Sequence, residues 1–506
     1  MNNDQIADME DIQGLILRGY NFRYIRYIIF SIADAQGARD FCAALLPGGG
    51  KPMCITNAEP WPGGIKPGYC LNAGFTYQGM LQLIGLPNCN TVAKASFELF
   101  TIFQAGAADP NNTQQIGDTD DSAPEHWWNR SGGWLLNQPP SPDGKELHIQ
   151  LTLFTHNPES REAYYNTLLS MIPQVAGNPA VIPAFYKDSD PIAVGEDLDY
   201  IHFGYKDSLS QPRISNTLWN QKEVRLLTGV STIDDRPIVP LYRFAIATNS
   251  PAYNAHKLLE NGTFAAFRLL YQDVAAFYGF IASDKNASPE LVAAKMCGRW
   301  FDGTPLVVSP DGEDKRLKDF DYTNFNYEMP TPNQQGPRLS DDLGAMCPYA
   351  AHIRRANPRD DGKVKGNEPI NGKPQYAGIH RVLRRASPYG PPYKQDEPAE
   401  VQRGLVGLFM GASLADQFQF VMSQWISQGS FRFPDKSPNL SGIDPLFGPQ
   451  PSDGDPDDKS FDYNTGNGKY KVIPGLERFI RTDGSLYLFL PGIAGLKSLS
   501  EGTIPG

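Results

Sequence analysis

Strand-like segments followed by helix-like segments recur in both halves of this chain, and this pattern limits its possible folds most strongly. In the first half, Phe22 to Asp34 alternates and is rich in β-branched residues, which predicts a strand, and Ala35 to Leu46 follows as a short helix. In the second half, Leu241 to Ala247 predicts a strand, and Gly404 to Ile426 predicts a strand that runs into an amphipathic helix. No residue-level repeat is visible, but the recurring unit favours an α+β interpretation: antiparallel sheets with helices on one face, in two similar domains.

A further strand–helix unit lies within the first half. A half-buried strand is predicted where apolar residues alternate with polar ones, at Leu147, Ile149, Leu151 and Leu153. Asn157 and Pro158 then supply an N-cap and a first-turn proline, so we expect a helix to begin there.

Length and charge narrow the class of protein. At 506 residues the chain is too long for one ordinary core, so two domains are expected. Its net charge of −11 repels phosphate groups, which argues against nucleic acids and anionic membranes as partners. The N-terminus lacks a basic start and an apolar run, and no stretch of about 18 apolar residues follows, so we expect a soluble cytoplasmic protein. A secreted form whose leader has been removed is the alternative.

Two polar clusters stand in otherwise apolar or glycine-rich surroundings. His202 to Ile214 contains Asp207, whose partly desolvated carboxylate could act as a general acid–base or could cap its own turn. Cys347 to Asp361 places His352 shortly before three arginines. This second cluster would suit a haem, whose iron takes an axial ligand and whose propionates take cations, or it is a solvated basic loop.

A third cluster, His380 to Gly390, places Arg384 four residues before Pro388. In isolation it is typical of a polar surface segment. Together and in this order, the three clusters resemble the dye-decolourising peroxidase family. Gly204 to Ser208 (GYKDS) is similar to the family's distal G-x-x-D-G signature, with Asp207 at the catalytic aspartate. His352 matches the proximal haem ligand and Arg384 the distal arginine.

Other segments extend the resemblance over most of the chain: Asp11 to Gly14, Gly74 to Leu86, Asn261 to Leu270 and Cys297 to Leu306. Membership would imply two ferredoxin-like domains, each an antiparallel β-sheet with helices packed on it, with haem b bound in the second. We place these domains at residues 1–225, which carry the distal aspartate motif near their end, and at residues 226–506. A monomer and a homodimer both stay open.

The resemblance also implies a mechanism. His352 would bind the iron, and hydrogen peroxide would be cleaved on the opposite face with the help of Asp207 and Arg384. The resulting ferryl state would oxidise phenolic, dye-like or other small organic donors. The family's axial histidine usually gives its second N–H to a carboxylate, and Asp444 stands at that position. Further cofactor contacts are expected at Leu405, on the distal side, and at Arg354, Asn357, Arg359 and His202, the last two beside a propionate.

Relatives oxidise large donors through surface tyrosine or tryptophan radicals. Tyr389 and Trp425 are the candidates here, and ordinary packing is the alternative for both.

Two positions depart from the family pattern. Ser208 replaces a glycine that permits an unusual φ, and its hydroxyl could alter the hydrogen bonds of Asp207. Gly407 stands where many relatives carry phenylalanine, which predicts a more open distal pocket unless the register is shifted by two residues. These departures motivate the alternative function, a haem-binding or haem-handling protein with weak peroxidase turnover. A scaffold that has kept the fold without haem is the third hypothesis.

Overall fold

The centre of the fold is an antiparallel sheet of eight strands, seen in a computed structural model. The structure describes residues 7–506 except 49, 131, 137, 213, 215–238, 249–251, 318–321, 329–339, 365, 367–379, 396, 398–400, 432–441, 451–458 and 467–468. The predicted domain boundary at residues 225 and 226 lies outside the described residues. The strands of this sheet are β1 (Tyr24–Ile32), β2 (Tyr69–Phe75), β3 (Ile149–Thr155), β4 (Val181–Ser189), β5 (Thr263–Gln272), β6 (Leu383–Tyr389), β7 (Gly404–Gly411) and β8 (Ile480–Leu490).

The order across the sheet is β6-β7-β5-β8-β2-β3-β1-β4. Each half therefore contains four strands in the same relative order, in which the first strand lies between the third and the fourth. This is the order of a ferredoxin-like βαββαβ unit. The two halves join edge to edge at the pair Phe75 and Phe489, so they form one continuous sheet. The predicted α+β class with antiparallel strands is confirmed.

Helices connect these strands and cover the sheet. They are α1 (Gly14–Leu17), α2 (Ala35–Ala44), α3 (Tyr77–Ala95), α4 (Phe97–Ala105), α5 (Pro110–Ile116), α6 (Pro158–Ser170), α7 (Val274–Ile281), α8 (Pro289–Cys297), α9 (His352–Ala356), the π-helical segments Leu414–Gln419 and Val421–Ile426, and α10 (Ile493–Glu501). Smaller hairpins pair Gln174–Val175 with Asn178–Pro179, Ile192–Val194 with Asp197–Tyr200, and Ser460–Gly466 with Lys469–Pro474. No helix in the described part of the chain is both long enough and apolar enough to cross a membrane.

Most of the predicted strands and helices are confirmed, and one is wrong. Strand β3, predicted to be half-buried, is instead buried along its whole length. Helix α6 begins at Pro158 and is capped by the Asn157 side chain, which accepts from the Ser160 N–H at 2.8 Å. Leu241 to Ala247, predicted as a strand, instead begins with a 3₁₀ turn at Leu241–Arg243. The first strand of the second half is β5, in which every residue is buried. Because β5 is covered on both faces, it lacks the alternation that marks a half-buried strand.

A buried ion pair ties the segment after α5 to the second half of the sheet. Arg268 of β5 and Asp118 are both almost fully buried, and the guanidinium Nη2 donates to the carboxylate at 2.7 Å. Thr482 of β8 donates its hydroxyl to the same carboxylate at 2.7 Å. One carboxylate thus links two adjacent strands to the connection that precedes β3.

A buried imidazole makes a second long-range link. The His202 ring, 5% exposed, donates from Nε2 to the Tyr389 carbonyl at 2.8 Å, because a carbonyl oxygen can only accept. Burial lowers the pKa of this imidazole to about 4, with the positive charge of Arg403 acting in the same direction and Glu397 against it. His202 is therefore neutral near pH 7 and holds the end of β6.

Asp118→Ala should destabilise the protein by roughly 3–5 kcal/mol, because it leaves the Arg268 guanidinium buried and uncompensated. Thermal and urea unfolding measure this loss. Asp143→Ala is the matched control, since Asp143 pairs with Lys145 at the surface, and its loss should cost less than about 1 kcal/mol. Equal losses in the two variants would contradict this account.

The stability of the protein should fall between pH 6.5 and 4 partly because of His202. In the unfolded chain an imidazole takes up its proton near pH ~6.5, whereas the folded protein resists protonation until the pH nears 4, so stability is complete above 6.5 and is lost on acidification. The full shift corresponds to roughly 3 kcal/mol. His202→Gln keeps a donor for the Tyr389 carbonyl but cannot titrate.

Urea midpoints at pH 7.5 and 4.5 test this. The deficit of His202→Gln relative to the wild type should shrink at the lower pH. His156→Gln, at an exposed imidazole, should leave the pH dependence unchanged. A deficit of the same size at both pH values would refute the assignment to His202.

Candidate active site

His352 stands at the start of α9 and is paired with Asp444, 92 residues later in the chain. Its Nδ1 lies 2.7 Å from Oδ2 of Asp444, whose side chain is fully buried. Oδ1 of the same carboxylate accepts the backbone N–H groups of Leu446 and Phe447, each at 2.9 Å. Because the carboxylate accepts, Nδ1 carries the proton. Nε2 of the partly exposed ring has no hydrogen-bond partner among the described residues.

Two buried arginines of α9 hold this helix in place. Arg354 contacts the carboxylates of Asp341 at 3.0 Å and Asp361 at 3.2 Å, and these charges raise its pKa despite the opposing effect of burial. Arg355 donates to the Gln428 carbonyl at 2.7 Å and to the Gly442 carbonyl, two residues before Asp444. The same helix therefore positions both His352 and the segment that carries its acidic partner.

The expected cofactor contact of Arg354 is corrected by this geometry. Its Nη1 and Nη2 atoms donate to Asp341, Asp361 and the Cys347 carbonyl. Tyr327 and Tyr349 pack against the guanidinium, at 4.5 and 4.6 Å from their ring centroids. Arg354 is thus a cation of the protein interior, since two carboxylates and two rings enclose it.

Asp207 lies in a loop with unusual backbone conformations. Its N–H donates to the Asp199 carbonyl at 2.7 Å, while its half-buried carboxylate has no hydrogen-bond or ion-pair partner among the described residues. Ser208 and Ser210 have φ values of +63° and +59°, in the left-handed region that L-residues seldom occupy. Ser208 therefore adopts a φ that glycine would permit, and such strain concentrates at functional sites.

Arg384 of β6 reaches this loop. Its Nη2 donates to the Leu209 carbonyl, and its backbone N–H donates to the Gln211 side chain at 3.3 Å. Gln211 in turn donates to the Arg384 carbonyl at 3.1 Å. The structure thus brings Arg384 to the loop that carries Asp207.

The buried thiol of Cys297 is affected by the charges of both Asp207 and Asp444. Cys297, at the end of α8, has its pKa raised to about 12, first by burial. The carboxylates of Asp444 and Asp207 both raise this pKa further. Asp207 and Asp444 therefore lie within electrostatic reach of the same side chain.

The remaining cofactor candidates lie around these groups. Arg359 donates to the Thr323 and Phe325 carbonyls at 3.0 and 2.9 Å and to the Ser210 hydroxyl at 3.2 Å. Asn357 is half-buried, and its Oδ1 has no partner in the part of the chain that the structure describes. His202 is directed at the Tyr389 carbonyl, and its Nδ1 is likewise buried without a described partner.

The geometry of strand β7 tests the prediction that Gly407 makes the distal pocket more open. Leu405, Gly407 and Phe409 lie on the same face as Arg384, because Phe409 is directly opposite Arg384 in the ladder. A Cβ at Gly407 would lie 2.3 Å from the Ala386 Cα and from the Arg385 oxygen, so the space is filled by strand β6. The predicted opening of the pocket at Gly407 is wrong. If the register is shifted by two residues, Phe409 rather than Gly407 stands at the corresponding position and supplies an aromatic ring there.

Tyr389 and Trp425 are not at the surface, so their expected role as surface radicals is wrong. Tyr389 is 2% exposed and Trp425 is fully buried. The two edge strands of the sheet approach each other, with the Ser189 hydroxyl 2.7 Å from the Pro388 carbonyl. Lys187 therefore covers the Tyr389 ring, with Nζ 4.9 Å from its centroid.

Sequence reasoning missed several polar groups of this site. Arg299 donates to the Ser210 hydroxyl at 2.9 Å, and Arg381 donates to the Ser210 carbonyl at 2.7 Å. With Arg359 and Arg384, four arginines from three segments of the chain converge on one short loop. The only signal in the sequence was the position of Arg299 in a segment similar to the family, Cys297 to Leu306.

Comparison with known proteins supplies relatives over nearly the whole chain. No family model matches the sequence. A dye-decolorizing peroxidase of Mycena epipterygia is 25% identical over 521 residues, covering 98% of this chain and 88% of that protein. Peroxidase 2 of Mycetinis scorodonius is 24% identical, covering 97% of this chain and 87% of its own length.

Solved structures agree in fold. The crystal structure of a fungal DyP-type peroxidase from Auricularia auricula-judae has a TM-score of 0.72 at 22% identity, covering 97% of this chain and 99% of that one. A dye-decolorizing peroxidase complexed with 2,6-dimethoxyphenol has a TM-score of 0.72 at 20% identity, covering 98% and 100%. This likeness concerns the fold, while the curated relatives are homologous in sequence. The chain is thus similar over nearly its whole length to dye-decolourising peroxidases, a class of oxidoreductases.

Proposed function

We propose that this chain is a haem b-dependent peroxidase that uses hydrogen peroxide to oxidise phenolic and other small organic donors. The observation that carries the proposal is the pairing of His352 Nδ1 with the buried carboxylate of Asp444 at 2.7 Å. A histidine that binds iron needs its second ring N–H held in this way, which fixes the tautomer and raises the basicity of the ligating nitrogen.

The residues present fit a haem. Nε2 of His352 would bind the iron, since Nδ1 faces the Asp444 carboxylate. Arg359 and Asn357 follow His352 in the same segment and would hold the polar edge of the porphyrin, where propionates take cations. Leu405 lies on the same sheet face as Arg384 and would line the opposite side.

When bound, haem supplies an iron that can bind peroxide and pass its oxidising equivalents to a donor. The Asp207 carboxylate would accept a proton from the inner oxygen of peroxide and deliver it to the outer oxygen, which leaves as water. The Arg384 guanidinium would stabilise the negative charge that develops on that outer oxygen. Asp444 would strengthen His352 as a donor while the O–O bond breaks.

Small phenolic donors are the substrates that we propose. The solved relative bound to 2,6-dimethoxyphenol suggests this compound as the first donor to test. Tyr389 and Trp425 are buried, so neither of these two rings offers a surface for a large dye to contact.

The alternative, a haem-binding or haem-handling protein with weak turnover, predicts a different spectrum. One equivalent of hydrogen peroxide should rapidly convert the resting Soret band if the chain is a peroxidase. A Soret band that persists unchanged would favour the alternative.

His352→Ala should remove the axial ligand, so the purified variant should lose its Soret band and its peroxide-dependent oxidation of 2,6-dimethoxyphenol. Its far-ultraviolet circular dichroism should stay that of the wild type. His156→Ala removes an exposed imidazole that contacts the Pro67 carbonyl, and should retain both haem and activity. A folded His352→Ala protein with wild-type absorption and activity would refute the assignment.

Asp444→Asn should keep the two backbone hydrogen bonds at Oδ1 while removing the negative charge beside His352. Because a less basic imidazole stabilises ferric iron less, the midpoint potential of the bound iron should rise. The rate of reaction with peroxide should fall roughly 10- to 100-fold. Spectroelectrochemistry and stopped-flow absorption measure the two effects. Asp143→Asn, at the surface, should change neither, and an unaltered potential in Asp444→Asn would count against the proposal.

A further inference from the structure

We infer that Arg299 is a positioning residue for Asp207 and acts through the hydroxyl of Ser210. This inference rests on the proposed function, because it concerns how the distal carboxylate is held. Asp207 has no hydrogen-bond or ion-pair partner for its own carboxylate among the described residues, so its placement depends on the backbone of its loop.

Arg299 is enclosed and directed at that loop. It is 5% exposed and lies two residues beyond α8. Its Nη1 donates to the carbonyls of Gly303 and Tyr322, at 2.8 and 2.7 Å. Its Nη2 donates to the Ser210 hydroxyl at 2.9 Å. A charged donor makes this contact stronger than one between neutral groups.

The turn that follows Arg299 supports the other end of the loop. The Lys206 N–H donates to the Phe301 carbonyl at 2.9 Å. Gly303, with φ +94°, lies against Leu209, and a Cβ there would be 2.7 Å from the Leu209 Cδ1. Residues 299 to 303 thus contact the loop both before and after Asp207.

The hydrogen bond from Arg299 to Ser210 matters because of the backbone conformation of Ser210. Its φ of +59° is unfavourable for an L-residue, so tertiary contacts must hold the backbone in this conformation. The Ser210 hydroxyl accepts from Arg359 at 3.2 Å as well as from Arg299, and both guanidinium groups lie over the Phe325 ring. Two cations therefore hold one hydroxyl three residues after Asp207.

Ser210→Gly removes the hydroxyl and at the same time relieves the left-handed φ. Glycine accepts this φ without strain, which offsets part of the stability lost with the two hydrogen bonds. Ala176→Gly is the matched control: it relieves a φ of +49° at an exposed turn between Gln174–Val175 and Asn178–Pro179. Arg299→Gln removes the cation, and Arg299→Lys keeps a charged donor.

Hydrogen–deuterium exchange of the full-length protein is the first measurement. The amides of Lys206 and Asp207 report loop opening directly, because they donate to the Phe301 and Asp199 carbonyls. Both amides should exchange roughly 10-fold faster in Ser210→Gly and Arg299→Gln than in the wild type. Arg299→Lys should restore much of the protection, and Ala176→Gly should match the wild type.

Stopped-flow reaction of the haem-loaded proteins with peroxide is the second measurement. Displacement of Asp207 should slow this reaction roughly 10- to 100-fold in Ser210→Gly and Arg299→Gln, with the KM for 2,6-dimethoxyphenol unchanged. Wild-type exchange at Lys206 and Asp207 in both variants would overturn this inference. A wild-type protein that holds haem but does not react with peroxide would instead overturn the proposed function, so the two failures are distinguishable.

Discussion

The hydrogen bond between His352 and Asp444 is the contact on which the site depends, and the fold must bring together two segments 92 residues apart to make it. Neither segment is long or regular. Helix α9 has five residues, too few to be stable by itself, and Asp444 lies in a turn beyond the π-helical segment Val421–Ile426. Tertiary contacts therefore supply the order that local structure cannot.

Buried arginines supply these contacts, and each is stabilised differently. Arg354 lies between two carboxylates, so its charge is balanced. Arg355 is surrounded by backbone carbonyls instead, and burial lowers its pKa to about 9. Backbone carbonyls of Trp425, Gln428 and Gly442 accept its N–H groups and fix its placement beside Gly442. Arg299 and Arg359 likewise donate to backbone carbonyls on the Ser210 side of the site.

Sequence patterns correctly predicted strands and helices that depend on local residue spacing. They failed for features that depend on how segments pack against one another. Alternation identified β1 and β3, and the N-cap at Asn157 identified the start of α6. The same approach misassigned Leu241 to Ala247, which begins as a 3₁₀ turn, because a short apolar run does not by itself distinguish a strand from a turn. The prediction for Gly407 failed for a related reason. Strand β6 fills the space beside this glycine, and no pattern in the sequence of β7 indicates that β6 lies there.

The sequence by itself determined the strand–helix units that make this an α+β chain, and the motifs that group His352, Asp207, Arg384 and Asp444 into one hypothesis. These features are local, since they depend on residue type and short spacing. Only the tertiary structure decided that Tyr389 and Trp425 are buried, that Arg354 is a structural cation, and that Arg299 reaches Ser210. Such facts depend on contacts between segments far apart in the chain, and burial and electrostatic partners are properties of those contacts rather than of any one segment.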